Sequence, residues 1–492
     1  MSLVVAVDCS TTAAKAVVVD AAGTVRAQAS RAFGTDQPHP AWHEQDAREW
    51  WTATSGAVAD AVGQVDAREV AAVCLTHQRE TFVCLDAAGE PLRPAILWVD
   101  GRAHAEIAAL GTAEVHRLSG KPPDTTPAIY KLAWLARHEP QVLADAAHVV
   151  DVHGYLTWRL TGRWATSTAS ADTLGLLDAA TLTWAPELCA LAGVRPEQLP
   201  ELVGVGAQIG PLTADAAAAL GLPGPVPLVA GTGDGQAAGL ALGATVPGVA
   251  YLNLGTSMVL GVHADGYVWD PAFRTLAGLR PGQYTLETVL NAAAYLADWA
   301  RTRFGAGAGI AELEAAAAQV VPGAEGLLTL PYWNAAQTPY WDPVARGAVV
   351  GWHGRHTPAH LYRSVLEGVA FELRLHLERL EAATGRAVED VRAVGGGARS
   401  ELWVQVVSDV TGRPVRVCSA GEASAAGAAM LARAYLDGVP AGGTALDPPG
   451  TQVLPDAARA ATYAPLYEAY RGLYPALRDT FAALAAAQPP QA

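Results

Sequence analysis

Five short polar segments break an otherwise apolar chain, and their residue types suit the handling of phosphate, hydroxyl and metal. The first, Asp8-Cys9-Ser10-Thr11-Thr12 with Lys15 beyond it, combines a carboxylate at a strand end with hydroxyls, backbone donors and a cation. Phosphate needs donors from several directions, and a hard cation such as Mg2+ is usually held by one or two carboxylates together with phosphate oxygens. A capped β-turn with an ordinary surface lysine uses the same residues, so this segment alone leaves both readings open. A second hydroxyl loop at Gly255, Thr256 and Ser257 shifts the balance toward phosphate.

Asp234 stands between Gly233 and Gly235, where the apolar run PVPLVAGTG gives way to a helix. An Asp there commonly caps the helix. It also stands where a strand delivers a carboxylate to a cleft, placed to accept a hydroxyl proton during phosphoryl transfer. Gly395, Gly396 and Gly397 let a flat ring or ribose approach backbone that a Cβ would obstruct, although tight strand-to-helix turns use glycine too. The last cluster, Thr76-His77-Gln78-Arg79-Glu80-Thr81, sets a fixed donor and a fixed acceptor side by side, as a polyhydroxy ligand requires. Its plain alternative is an exposed hairpin connection with an internal ion pair. Trp98, Asp100 and Arg102 follow, either adding to that pocket or bracing it.

The elements that must position these segments mix strands and helices, which makes the class α/β. LVVAVD, KAVVVD and TVRAQASRAF read as an antiparallel strand run with a tight Ser/Thr loop between the first two. From Glu44 to Val70 the apolar spacing turns helical, and VAAVCLTHQRETFVCLD reads as another strand pair. Near Gly248 the layout begins again, with Asn253-Leu-Gly-Thr-Ser spaced like Asp8-Cys-Ser-Thr-Thr. The echo predicts two related domains, 1–245 and 246–492, facing each other across a cleft. RPVRVCSAGEASAAGAAMLA predicts a strand and then a small-residue helix packed closely behind the nucleotide pocket. The stretches 306–319 and 457–487 predict helices without chemistry.

The 492 residues hold 51% apolar and 16% charged side chains, ample for two buried cores and unlike a disordered chain. A net charge of -15 disfavours nucleic acid and anionic lipid as partners. Asp8 and Lys15 interrupt the apolar opening before it could serve as a signal peptide, and no apolar run suits a membrane span. Five scattered cysteines, without zinc spacing, predict a reducing cytoplasm.

Taken in order, DCSTTAAK, HQRETFVCLD, ILWVDGR, YLTWRLTGRW, GTGDGQAAGLALGA, LNLGTS, HLYRSVLEGVAFELR and GGGARSELWVQVVSDV resemble the FGGY family of carbohydrate kinases, from Val4 to about Leu431. The resemblance implies two ribonuclease-H-like, actin-like ATPase domains, the first binding sugar and the second nucleotide, which close on ATP and Mg2+. It makes Asp234 the catalytic base and sets Asp8 with Asp234 at the metal. Thr11, Thr12, Lys15, Gly255 and Thr256 would face the phosphates, and Gly395, Gly396 and Gly397 the nucleotide. Arg79 and Glu80 resemble the pair that glycerol kinases use on their substrate, with His77, Gln78 and Asp100 joining the acceptor set. LWVDGR and GGGARSELW lean instead toward the xylulokinase subgroup, and Trp352 replaces a smaller aliphatic residue of the family's second signature.

The expected reaction is transfer of the ATP γ-phosphoryl group to a primary hydroxyl of a small sugar, a ketopentose such as xylulose ahead of glycerol or another polyol. The expected partner is that small molecule; a homodimer is left open. A noncatalytic actin-like ATPase is the rival from another class, disfavoured because it needs no cluster like His77 to Glu80.

Overall fold

A computed structural model describes residues 2–419, 422–442 and 447–487. In the first half, β1 (Leu3–Cys9), β2 (Ala13–Val19), β3 (Val25–Ala32), β4 (Val70–His77), β5 (Gln208–Pro211) and β6 (Pro227–Gly233) form one sheet in the order β5-β6-β4-β1-β2-β3. β1 is apolar along almost its whole length because both faces of the sheet are covered there. In the second half, β7 (Val249–Leu254), β8 (Met258–Asp265), β9 (Arg274–Ala277), β10 (Gln283–Leu290), β11 (Asp390–Val394), β12 (Val415–Cys418) and β13 (Gly450–Val453) take the order β9-β10-β8-β7-β11-β12-β13.

Strand for strand, β3-β2-β1-β4-β6-β5 matches β10-β8-β7-β11-β12-β13, with β9 added at an edge. Each set has three antiparallel strands, two further strands parallel to the third, and an antiparallel edge. The echo between two hairpins in the sequence is therefore a duplication of an entire ribonuclease-H-like sheet, and the architecture is that of the actin-like ATPases.

Register explains why the chemical segments meet. Cys9 pairs with His77 and His77 with Gly233, so β1, β4 and β6 end at the same edge of the sheet. In the second sheet Asn253 pairs with Val394, so the Gly255 turn and the glycine run also leave together. Ligands of open α/β sheets collect beyond such strand ends.

The expected pairing of VAAVCLTH with FVCL does not form. Phe82–Leu85 pairs instead with Ala95–Ile96 and His148–Asp151, in a separate four-stranded sheet. The chain changes sheets between residues 78 and 81, with Glu80 in the left-handed region at φ 64°. The segment is a buried crossover, which removes the exposed-hairpin alternative.

The small-residue helix, Ala423–Asp437, covers the face of the first sheet: Ala425, Ala428 and Ala432 pack with Val4, Ala6 and Ala72. A segment from the second half thereby completes a core of the first. The tail helix, Ala457–Ala487, is anchored by tyrosines whose hydroxyls donate to acids, Tyr463 to Glu367 and Tyr467 to Glu378, each at 2.8 Å.

Gly427 sets how closely Ala423–Asp437 can lie on the helix Asp234–Ala241. A Cβ there would stand 2.0 Å from the Ala237 carbonyl oxygen. Gly→Ala inside a helix ordinarily stabilises by about 1 kcal/mol, whereas overpacking against fixed backbone costs about 1–3 kcal/mol. Gly427→Ala should therefore lower the urea midpoint, and a variant as stable as the parent would mean that the two helices separate freely.

Candidate active site

A cleft of about 710 Å³ lies between the two sheet edges. The first half lines it with Ser10, Thr11, Thr12 and Lys15, and with Arg79, Glu80 and Asp234; the second faces them with Asn253, the Gly255–Ser257 turn and Arg274. The β1–β2 turn is tightened by the Ser10 hydroxyl, which donates to the Ala13 carbonyl at 2.8 Å. Trp98 leans on it, donating its indole N–H to Thr11 Oγ1 at 2.9 Å.

Asp234 is the first residue of its helix, with Gly233 at the cap position. Its Oδ1 accepts from Gly235 N–H at 2.7 Å and forms an ion pair with Arg79 Nε at 3.0 Å, while its side chain stays 44% exposed. The cap position falls to Gly233 and no side chain caps the helix, so the carboxylate remains open to the cleft. Asp8 lies deeper. Burial pushes its carboxyl up to about 7, the Asp234 carboxylate adds to this, Lys15 opposes it and Glu422 adds again. Asp8 Oδ1 is shielded from solvent without a hydrogen-bond partner. An orphaned carboxylate oxygen next to a second carboxylate fits a hard divalent cation, whose charge would satisfy the buried oxygen and remove the repulsion.

A chain of alternating charges runs from Asp234 into the second half. Arg79 bonds Asp234 on one side and Glu287 on the other, its Nη2 lying 3.1 Å from Glu287 Oε1. Glu287 also accepts from Arg274 Nε at 2.6 Å and from the Tyr251 hydroxyl. Arg274 Nη1 then reaches Glu80 Oε1 at 2.9 Å. Glu287 has no exposed surface. Burial raises its pKa, but the Arg274 and Arg79 guanidiniums outweigh that and hold it down to about 2.

Sequence reasoning found Arg79, Glu80 and Asp234 but missed Arg274, Glu287 and Tyr251. The available signal was a lone charge inside each of two apolar strands, FRTLAG and YTLETVL.

Other expected acceptor residues lie off the cleft. His77 is fully buried, its ring bridging the Gln78 carbonyl at 2.7 Å and the Ser170 hydroxyl at 2.9 Å. Gln78 donates to Gln45 Oε1 at 3.1 Å, and Asp100 is enclosed by Arg102 and the His43 N–H. These three brace the wall: the crossover that aims Arg79 and Glu80 at the cleft turns His77 and Gln78 inward, and Asp100 is held by its ion pair with Arg102.

Lys15 pairs with Glu422 at 3.0 Å, both about 40% exposed, a contact that water screens. Gly396 and Gly397 line a neighbouring cavity of about 590 Å³ with Tyr362, Arg399 and Trp403. Gly395 is not among the residues lining it; at φ 98°, its Cβ would press on the Leu254 carbonyl at 2.8 Å. The Gly255 turn, which lines the cleft, is tied to Ala294 of the neighbouring cavity, its carbonyl accepting from Ala294 N–H at 3.0 Å.

Comparison with known proteins matches residues 3–241 to the FGGY carbohydrate kinase N-terminal domain and 250–435 to the C-terminal domain. The chain is 33% identical to a xylulose kinase of Escherichia coli K12, over 96% of this chain and 98% of that protein. It is 32% identical to a glycerol kinase of Geobacter sp. strain M21, over 88% and 90% respectively. The crystal structure of xylulose kinase from Rhodospirillum rubrum superposes with a TM-score of 0.91 at 32% identity, covering 97% of this chain and 99% of that one.

The raised Asp8 carboxyl has a cost in stability with a defined sign. The folded form retains a proton that the unfolded chain releases at about pH 3.9, so stability falls as pH rises from there to about 7. Asp8→Asn removes this dependence. In chelator-containing buffer the variant should match the parent near pH 4 and exceed it at pH 8 by on the order of 4 kcal/mol in urea unfolding. Equal stability of the two at pH 8 would show that Asp8 is not a destabilised carboxylate.

Proposed function

The chain belongs to the FGGY family of carbohydrate kinases, and from that premise we propose that it moves the γ-phosphoryl group of ATP to a primary hydroxyl of a ketopentose such as D-xylulose. The observation that carries this reading is the open Asp234 carboxylate, oriented by Arg79 at the meeting point of the two phosphate-type turns. The near-full-length likeness to xylulose kinases supports the substrate class. Glycerol or another polyol is the second reading, favoured by the Arg79 and Glu80 pair in the cleft. The first domain, 1–245, is assigned the sugar and the second, 246–492, the nucleotide, with the base seated near Gly396 and Gly397.

In this reading Arg79 holds Asp234 Oδ1, which leaves the other carboxylate oxygen for the acceptor hydroxyl. As the acceptor oxygen bonds to the γ-phosphorus, the bond to the bridging oxygen of ADP breaks and the hydroxyl proton passes to Asp234. Backbone and hydroxyl donors of Thr11, Thr12, Gly255 and Thr256 face the phosphates, with Lys15 released from Glu422 to join them. Asp8 and Asp234 would hold Mg2+, whose charge would neutralise the phosphate oxygens. The five cysteines are free and buried, which suits the reducing cytoplasm assigned to the protein. Among the described residues no helix is long and apolar enough to cross a membrane.

Asp234→Asn keeps the size of the side chain and removes its charge. In a coupled ADP assay over xylulose, ribulose, glycerol and aldoses, the parent should prefer a ketopentose. The variant should lose roughly 10² to 10⁴ in kcat with little change in Tm or in calorimetric sugar binding. ATP turnover independent of every acceptor would instead establish the ATPase reading, and a variant retaining more than about a tenth of parental kcat would remove Asp234 as the base.

A further inference from the structure

Beyond Arg79, the cleft wall carries a second guanidinium whose bonds leave it donors to spare. Arg274 is 6% exposed and reaches the cleft from β9. Nε donates to Glu287 Oε1 at 2.6 Å and Nη1 to Glu80 Oε1 at 2.9 Å, while Nη2 lies in ion-pair contact with Glu287 Oε1 at 2.5 Å. Five N–H groups are available on a guanidinium. Thr126 Oγ1, 3.5 Å from Nη1, is only a marginal further acceptor.

Along the ion chain, Arg79 and Glu287 stand between Asp234 and Arg274, so two side chains separate these two cleft-lining groups. Arg274, Glu80 and Asp124 line the same cleft as Asp234 and Arg79, and are the groups an acceptor longer than Arg79 can span would meet. That far wall is rigid: the Lys131 ammonium donates to the carbonyls of Trp98, Thr125 and Thr126 at 3.2, 3.0 and 2.7 Å.

We propose that Arg274 determines acceptor length, donating to a distal hydroxyl of a five-carbon sugar that a three-carbon polyol does not reach, and holding Glu80 to accept from the neighbouring hydroxyl. The inference rests on the kinase reading above. Glu287, having no exposed surface, acts through Arg274 and Arg79 as a positioning residue. A buried donor built for a sugar oxygen discriminates by what is left unpaired when that oxygen is missing.

Arg274→Met keeps much of the volume and loses every donor; Arg274→Lys keeps the charge between Glu80 and Glu287 with one donor head. Both would be compared with the parent for kcat/KM on xylulose and on glycerol, for KM of ATP, and for Tm. In Arg274→Met the xylulose value should fall by about tenfold or more beyond any fall for glycerol, while KM for ATP stays within about threefold; Arg274→Lys should recover part of the difference. Proportional losses on both acceptors, or an equal rise in KM for ATP, would overturn the assignment and leave Arg274 a brace. Should Arg274→Met fail to fold, the same ratio in Arg274→Lys decides the matter: an unchanged ratio overturns the assignment and a shift toward glycerol upholds it. A parent that consumes no ATP with any sugar or polyol defeats the kinase reading itself, whereas a parent active on both acceptors with an unaltered ratio in the variants defeats this inference alone.

Discussion

A fully buried carboxylate with two guanidiniums against it holds the geometry of the cleft. Taking Glu287 out of water is costly, and removing one partner of such an arrangement leaves an uncompensated charge whose penalty is typically about 3–5 kcal/mol. Arg79 comes from the first half and Arg274 from the second, so the compensation is complete only when the two sheet edges stand at their observed separation. Apolar packing across the halves, such as Ala425 and Ala428 on the first sheet, does not specify direction as finely. The ion chain does, because each guanidinium must meet its carboxylate within hydrogen-bond distance.

This constraint explains why Glu80 tolerates a left-handed backbone. A non-glycine residue at φ 64° costs on the order of 1–3 kcal/mol and persists only where its surroundings over-determine it. Here the Arg274 bond to its side chain and the Thr173 hydroxyl accepting from its N–H at 3.2 Å supply that determination. The crossover from one sheet to another at residues 78–81 is the backbone event, and two ion pairs hold the outcome in place.

Most of the architecture was legible in the sequence because strand patterning and turn chemistry are local. The two Ser/Thr turns, the Asp234 helix start and the glycine run all announce themselves within a few residues, and the spacing of the turns reveals the duplication. What stayed hidden depends on long-range pairing. Whether His77 or Arg79 faces the cleft is decided by a change of sheet, which FVCL cannot disclose because its partners are the distant Ala95–Ile96 and His148–Asp151. Arg274 and Glu287 sit in strands whose apolar pattern reads as ordinary core, and their meaning appears only when β9 is set opposite Arg79. Gly395 was grouped with its neighbours by composition, although of the three Gly396 and Gly397 line the cavity and Gly395 does not.

Charge balance along the acceptor wall narrows what the site can hold. Arg79 and Arg274 are already shared among Asp234, Glu287 and Glu80, two cations against three carboxylates. An acceptor bearing its own carboxylate would enter a region with no uncommitted positive charge among these groups, and would do so where burial magnifies repulsion. A neutral polyhydroxy compound meets the same wall as a set of paired donors and acceptors, and its hydroxyls can serve as either. Lys15, beside the Ser10–Thr12 turn, is paired with a half-exposed Glu422 and is free to move. In the proposed kinase reading, a loosely paired, half-exposed cation thus stands by the turn assigned to the phosphates, and a fully committed ion chain with one carboxylate in excess stands where the acceptor is assigned.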